Sequence, residues 1–509
     1  MGLAAAGACN GGPSQDTSAS SEDGDCAHGT ENCFCEDDSD CGPGLVCASR
    51  QCTPSGDASA STSEVGGETS SGTTSEPGSS SESDGDSSGH GETGVPACDP
   101  EEGVVNGDCD DPGRPYCNAD GECVGCVELG GCDALPDISP VCNAASGLCV
   151  QCTADDVGAC SGTTPVCSSM NLCTGCKDHE QCDSGACNFA TGACFDQILY
   201  VDRAAVCATG DGSQESPYCE IQDAVGNALP GELTVVKVKS SPGSYAKQIQ
   251  IGAGRTVAIV RDGNGAVTLS VPDLDPVVVN DAAMAFLYNL RITGGALSKG
   301  VLCLNASVWL DRVQIDKREG HAIDAFGCML TVRRSKIYDN QAGGVKASDG
   351  NTRIENSYIV QNGNSFGEVA AISLSNNAEL EVVYSTIADN DAKNGLGDSL
   401  DCNAAGAVSL RNTILFGKTA ATSVMCPAVT IKDSVVDSMS LTGTGVVHEP
   451  DLDPAWFIAP ATGNFAIKVD TPFKDNAVWR AGDPAIDYDG DQRLADDGAM
   501  DYSGADRPN

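Results

Sequence analysis

The 509-residue sequence predicts a mainly β chain: a solenoid of parallel β-structure, preceded by small disulfide-rich repeats and a disordered linker. Three observations predict it. Aliphatic residues recur at steps of 21–28 residues between Leu287 and Val436, a period that belongs to stacked repeats. The 29 cysteines fall in blocks, and sixteen of them lie in groups of four between Cys98 and Cys194. Residues 53–97 hold eight acids, no Lys or Arg, and only Val65 and Val95 as large apolar residues. Such a segment cannot bury a core.

The charge excludes some partners. The formal net charge is −45, from 28 Lys+Arg against 73 Asp+Glu. A chain this acidic cannot neutralise a phosphate backbone over a broad face, so nucleic acid is excluded as a partner. An anionic membrane surface is excluded with it, except through a lipid anchor. Residues 198–509 carry 25 of the 28 bases, so any site for an acidic ligand must lie there. So many cysteines exclude a reducing cytosol. No apolar run approaches the ~20 residues of a membrane-spanning helix.

Taken in order, residues 1–25 read as a leader remnant and tether. Ala6-Gly7-Ala8-Cys9 resembles a bacterial lipobox, with Ala6 where Leu is usual. The resemblance implies that Met1 is not the true start and that Cys9 is lipidated after cleavage. The other reading is a plain secretory fragment with a leftover thiol. Cys9 is the odd cysteine, because every later block is even. Residues 26–52 form a six-cysteine unit, and residues 53–97 form a disordered acidic Ser/Gly linker.

Residues 98–197 repeat a four-cysteine unit, with group starts at Cys98, Cys126, Cys152 and Cys176. Pro115-Tyr116-Cys117-Asn118, Pro140-Val141-Cys142-Asn143 and Pro165-Val166-Cys167-Ser168 mark equivalent places. Cys35, Cys41, Cys47 and Cys52 form an earlier copy. Units this poor in apolar residues need covalent staples. Each group admits three pairings. The groups abut as Cys-x-x-Cys, a spacing shared with zinc and thioredoxin-like sites. The disulfide reading outweighs it, since His179 is the only histidine nearby. The block resembles short cysteine-rich repeats of bacterial surface proteins, some similar to the Dickkopf amino-terminal module. That resemblance implies a stalk or docking role.

From Ile198 the chain turns to short β-branched runs. Glu220–Leu229 reads as an amphipathic helix, followed by strands at Leu233–Val238, Gln248–Ile251 and Thr256–Val260. The period is carried by Ile292, Ile315, Ile337, Ile359, Ile387, Leu415 and Val436. Five positions earlier stand Leu287, Leu310, Val332, Ile354, Val382, Leu410 and Ile431. Two positions earlier, Ser335, Ser357, Ser385, Thr413 and Ser434 align, and three positions later Asn340, Asn362 and Asn390 do. Each turn stacks about 4.8 Å above the last, so like residues sit on like residues. The couples Cys207 with Cys219, Cys303 with Cys328, and Cys402 with Cys426 complete the cysteines, and the last two span adjacent turns.

These residues resemble right-handed parallel β-helix repeat proteins over roughly 198–509. Leu199-Tyr200-Val201-Asp202, Gly210-Asp211-Gly212-Ser213 and the following helix are similar to that family's entry cap. Asp453-Pro454-Ala455-Trp456-Phe457, Asp489-Gly490-Asp491-Gln492-Arg493 and Gly498-Ala499-Met500-Asp501 resemble the end of surface proteins with a "choice-of-anchor Q" type domain. The β-helix is thus expected over 198–445 and a C-terminal cap over 446–509.

Parallel β-helices also host polysaccharide lyases and glycoside hydrolases. Asp339 and Asp389 share a register position two turns apart, roughly 10 Å, with Gln361 between them. Trp309-Leu310-Asp311-Arg312 is similar to a pectate-lyase strand, but Leu310 already serves the core pattern, leaving Asp311 and Arg312 as ordinary outward residues. No catalytic residue is assigned. Arg312, Arg333, Arg334, Lys336, Arg353 and Arg411 recur outside the core pattern as a candidate ligand face for an acidic glycan. The competing reading is a solvated face neutralised by Asp311, Glu355 and Glu381. Asp487, Asp489 and Asp491 are calcium candidates, although Gln492 stands where an EF-hand needs Gly. No other cofactor is expected. The leading expectation is an exported cell-surface protein that binds or adheres without catalysis, with carbohydrate or another surface component as partner. The alternatives are a polysaccharide lyase or hydrolase and a purely structural component.

Overall fold

The structure is a computed structural model. It describes residues 45–48 and 51–54, and from residue 98 onward all but 100–108, 110, 112, 133–138, 158–159, 206–209, 296–297, 364–370, 393–396, 419–422, 495 and 509. The expectations for Cys9, for residues 1–25 and for most of the linker lie outside the described residues, as does Cys207. The chain divides into two units, 1–91 and 92–509. In the first, Leu45–Ala48 pairs antiparallel with Gln51–Pro54, placing Cys47 opposite Cys52.

In the second unit the four-cysteine groups repeat one design. Each closes on a short antiparallel pairing that sets its third cysteine opposite its fourth: Cys117 and Cys123, Cys142 and Cys149, Cys167 and Cys173, Cys187 and Cys194. The disulfides join first to third and second to fourth in every group. They are Cys98–Cys117 with Cys109–Cys123, Cys126–Cys142 with Cys132–Cys149, Cys152–Cys167 with Cys160–Cys173, and Cys176–Cys187 with Cys182–Cys194. The loops closed span 11–19 residues, each worth about 3 kcal/mol in the chain-entropy account. Neighbouring groups touch backbone to backbone. A Cβ on Gly147, whose φ is +73°, would meet the Gly113 carbonyl oxygen at 2.1 Å. Only glycine fits there.

The coil has three parallel sheets. Sheet one runs from Ile249–Ile251 to Val424–Met425, sheet two from Gln197–Val201 to Gly443–Thr444, and sheet three from Val267–Leu269 to Val447–His448. His321–Arg333 and Gly343–Glu355 bend around the corner and join sheets one and two. The seven aliphatic positions from Ile292 to Val436 pair in unbroken register down sheet three, all 0 % exposed. Leu287 to Ile431 pair likewise down sheet two, at 0–2 % exposed. Buried side chains of this size contribute roughly 1.5–3 kcal/mol each.

The polar stacks are hydrogen-bonded ladders. The backbone N–H of Val313 donates to Ser335 Oγ (3.0 Å), that of Ser335 to Ser357 Oγ (3.1 Å), and that of Ser357 to Ser385 Oγ (3.2 Å). Asn340 Nδ2 donates to Asn362 Oδ1 (2.9 Å), and Asn362 Nδ2 to Asn390 Oδ1 (3.1 Å). Each turn between sheets two and three places one residue in the left-handed region: Asn289, Arg312, Arg334, Asn356, Tyr384, Asn412 and Asp433. Asn tolerates that conformation; Arg and Tyr there are strained and need outside contacts to hold them.

The helix covers Ile221–Asn227, ending before Pro230, and buries Ile221, Ala224 and Val225 against the first turns. It shields the starting edge of the coil. The coil continues to His448, three residues past the expected boundary. The segment expected to cap it at 446–509 lies instead along its side. Phe457, Phe465, Ile467 and Phe473 pack on Tyr358, Val360, Ala388, Ile414 and Phe416 of sheet three. The cause is local: Tyr358–Val360 and Ile414–Gly417 are buried on both faces, so the outer face needs an apolar cover.

Candidate functional site

The six basic residues expected to form a ligand face do not make one. Arg312, Arg333 and Arg334 sit where the fourth cysteine group docks on sheet two. Arg312 pairs with Glu180 and donates to Tyr288 Oη (2.8 Å). Arg334 reaches Asp311 Oδ2 (2.7 Å) and Asp178 Oδ2 (2.9 Å), and its side chain and that of Asp311 are each 1 % exposed. Arg333 lies 3.3 Å from Asp311, 3.6 Å from Asp178 and 4.7 Å from the Phe189 ring centroid. Arg411 pairs with Asp483 of the C-terminal segment. Lys336 belongs to sheet three, with its ammonium 4.4 Å over the Tyr338 ring. Arg353 stands on the floor of an open groove, held by Glu355 (2.9 Å) and Glu381. Asp311 is likewise no outward residue but half of a buried ion pair, because the docked repeat shuts out the water.

The dock centres on Asp178-His179-Glu180. Burial opposes ionisation of Asp178, but its hydrogen bonds and the charges of Arg334 and Arg333 outweigh it and hold the carboxyl well below the usual range. His179 is 1 % exposed, accepts from the Cys187 N–H at Nδ1 (3.0 Å) and lies against Phe189 and Tyr288. Burial pushes its pKa down to about 4, so the ring is neutral at pH 7. Lys177-Asp178-His179-Glu180 is the densest run of ionisable side chains in the repeats, which was the available signal; its partners lie 108–156 residues away.

The docked repeat divides the outer face of sheet two. One register column runs through Phe286, Trp309, Thr331, Arg353, Glu381 and Ser409. The first two, stacked at 4.5 Å, lie beneath Phe189 and Phe195 of the repeat. The other four floor an open groove of about 390 Å³, walled by Met329, Asn351 and Glu379. Beside it, a hollow of about 640 Å³ lies between the repeat and the C-terminal segment, with Lys177, Asp178, Arg333, Glu355, Trp479 and Asp483 on its walls. Glu355 touches both regions, through Arg353 and through Arg333 (3.9 Å).

Other candidates resolve differently. Asp339 and Asp389 share a column with Gln361 between them, and Gln361 Nε2 donates to Asp389 Oδ2 (3.0 Å). Asp389 instead lines a separate cavity of about 600 Å³ with Asp437, which the sequence did not single out. Burial pushes Asp437 up to about 6. Of the calcium candidates, Asp487 is engaged by backbone donors. Asp487 Oδ1 accepts the N–H groups of Asp489 (3.1 Å), Gly490 (3.0 Å) and Asp491 (2.8 Å), and Oδ2 accepts that of Arg507 (3.0 Å). Arg493 of the same motif is a buried strut. It bonds Asp501 (3.1 Å), Asn356 (3.1 Å) and the Gly504 carbonyl (3.0 Å), and lies 4.0 Å over Tyr384. The Cys-x-x-Cys sulfurs are all in disulfides, leaving no thiolate for zinc. Cys303–Cys328 and Cys402–Cys426 are bonded across adjacent turns, with Cα separations of 6.3 and 4.7 Å. Cys219 is disulfide-bonded as well.

Residues 275–450 match the right handed beta helix region, and residues 84–198 match a family of unknown function (DUF8331). Among solved structures the chain is similar to the pectate lyase Pel9A at 13% identity and a TM-score of 0.38, over 62% of this chain and 97% of that one. No curated protein matches. The chain is a mainly β protein in which disulfide-linked repeats precede, and the last of them clasps, a right-handed parallel β-helix.

Proposed function

We propose that this is an exported cell-surface protein whose β-helix binds polysaccharide without cleaving it, along the open groove of sheet two. The observation that carries the reading is the groove itself: Thr331, Arg353, Glu381 and Ser409 offer one polar side chain per turn over three successive steps of the coil. A ladder of hydroxyl, guanidinium and carboxylate groups at about 4.8 Å intervals suits an extended chain of sugar hydroxyls. Export is supported by the disulfides, since every cysteine described from Cys98 on is bonded. No described helix is long and apolar enough to cross a membrane. Anchoring through a lipid on Cys9, with the acidic segment as tether and the first three cysteine groups as a stalk, completes this picture. The Dickkopf-like and anchor-Q-like resemblances fit the same role.

The test uses the full oxidised chain, because the fourth cysteine group is part of the β-helix surface. Affinity electrophoresis through gels containing a panel of polysaccharides reads binding, and an assay of reducing and unsaturated ends reads cleavage. Retardation without new ends is the expected result. New ends would establish the lyase or hydrolase alternative, and no retardation in any gel would overturn the reading. Mass spectrometry of the mature amino terminus tests the anchor; an unmodified Cys9 would refute it.

A further inference from the structure

The groove's ligand class follows from its charges, and resting on the binding role above, we infer that the groove selects neutral polysaccharides and rejects polyuronates. The candidate arginines that would recognise carboxylates are already spent on this chain's own acids. Arg312 and Arg334 lie under the fourth cysteine group with Glu180, Asp178 and Asp311, and Arg411 is tied to Asp483. Only Arg353 is left on the groove floor, and its guanidinium is bracketed by Glu355 on its own strand and Glu381 one turn along. Among the charged residues lining the groove, one Arg stands against two Glu, Glu379 and Glu381, a net charge of −1. Glu355 stands at the edge shared with the adjoining hollow, where it, Asp178 and Asp483 balance Lys177, Arg333 and Arg334, so the hollow adds no net positive charge. An incoming carboxylate would have to displace an internal ion pair and then face like charges.

The same groups serve a neutral glycan well. Glu379 is exposed and the Glu381 side chain is 46 % exposed, so their carboxylates can accept from sugar hydroxyls without being dragged from water into a core. Thr331 and Ser409 supply hydroxyls, and Asn351 an amide that both donates and accepts. Met329, 56 % exposed, gives an apolar edge for the carbon–hydrogen face of a ring. The docked repeat closes the groove where Trp309 begins, so a polymer lies from Thr331 towards Ser409 and leaves past the C-terminal turns.

The experiment compares the full chain in gels containing hydroxyethylcellulose, glucomannan or polygalacturonate, at low and at physiological salt. At least one neutral polymer should retard the protein with a dissociation constant about tenfold or more below that for polygalacturonate. Glu379→Gln with Glu381→Gln turns the lining from −1 to +1; both positions are on the surface, so the fold is kept. This variant should lose affinity for the neutral polymer and gain affinity for polygalacturonate. Equal or tighter binding of polygalacturonate by the unaltered protein would overturn the inference while leaving the binding role intact. So would a double variant with unchanged preference. Retardation by none of the polymers would instead remove the binding role on which the inference rests.

Discussion

Replacing Arg334 by Met should unfasten the fourth cysteine group from the coil. Arg334 donates to Asp311 through Nε (3.0 Å) and Nη2 (2.7 Å), and to Asp178 through Nη2 (3.1 Å). Removing one partner of a buried pair costs about 3–5 kcal/mol, because the other charge is left behind without water. Here Arg333 Nε stands 3.3 Å from Asp311 and takes over part of the attraction. The expected loss therefore sits at the low end, about 3 kcal/mol. Adding Asp311→Leu removes the stranded charge, so the double variant should be less destabilised than Arg334→Met alone, with a coupling of about 2 kcal/mol. Guanidinium denaturation of the oxidised protein, followed by tryptophan fluorescence, measures this, since Trp309 lies in the same interface. Trp456 and Trp479 would be changed to Phe throughout so that Trp309 alone reports. A loss below about 1 kcal/mol for Arg334→Met, or strict additivity in the cycle, would refute the buried-pair reasoning.

Three further outcomes follow from the same physics. Asn362→Ala removes donations to the Ile337 carbonyl (2.9 Å) and Asn390 Oδ1 (3.1 Å) and the acceptor used by Asn340 Nδ2 (2.9 Å); it should cost about 2–4 kcal/mol in denaturant midpoint analysis, since the neighbours stay buried and unpaired. His179, pushed down to about 4 by burial, binds its proton more weakly folded than unfolded. Its contribution is fully present above pH ~6.5 and lost as pH falls towards 4, so the melting temperature of His179→Gln should fall less between pH 6.5 and 4.5 than that of the unaltered protein. Asp506 has the opposite sign: burial and the neighbouring Asp487 and Asp489 raise it to about 8. The folded state therefore holds a proton that the unfolded chain releases near pH ~4, and stability drains away as pH rises towards 8. Asp506→Asn should melt higher than the unaltered protein at pH 9, and equal melting there would contradict the assignment.

Repeats made much of this fold readable in one dimension. A turn of the coil meets the next turn 21–28 residues along the chain, so each buried position leaves a copy of itself at a fixed offset. Ile292 to Val436, the Ser/Thr ladder and Asn340-Asn362-Asn390 were visible for that reason, and Cys303 and Cys402 found their partners by the same offset. The first-to-third, second-to-fourth pairing of each cysteine group was not visible, because all three pairings satisfy the same spacing and only the hairpin sets the third cysteine opposite the fourth. The partners of the arginines were hidden more deeply. Arg334 meets Asp178 across 156 residues and Arg411 meets Asp483 across 72, between surfaces that do not repeat. Outward side chains carry no periodic signature of what covers them. Composition and period were therefore enough to establish the coil and its oxidised cysteines. Which basic residues face solvent was settled only when the fourth cysteine group and the C-terminal segment folded back over two of its sheets, because ion pairing depends on what meets in space.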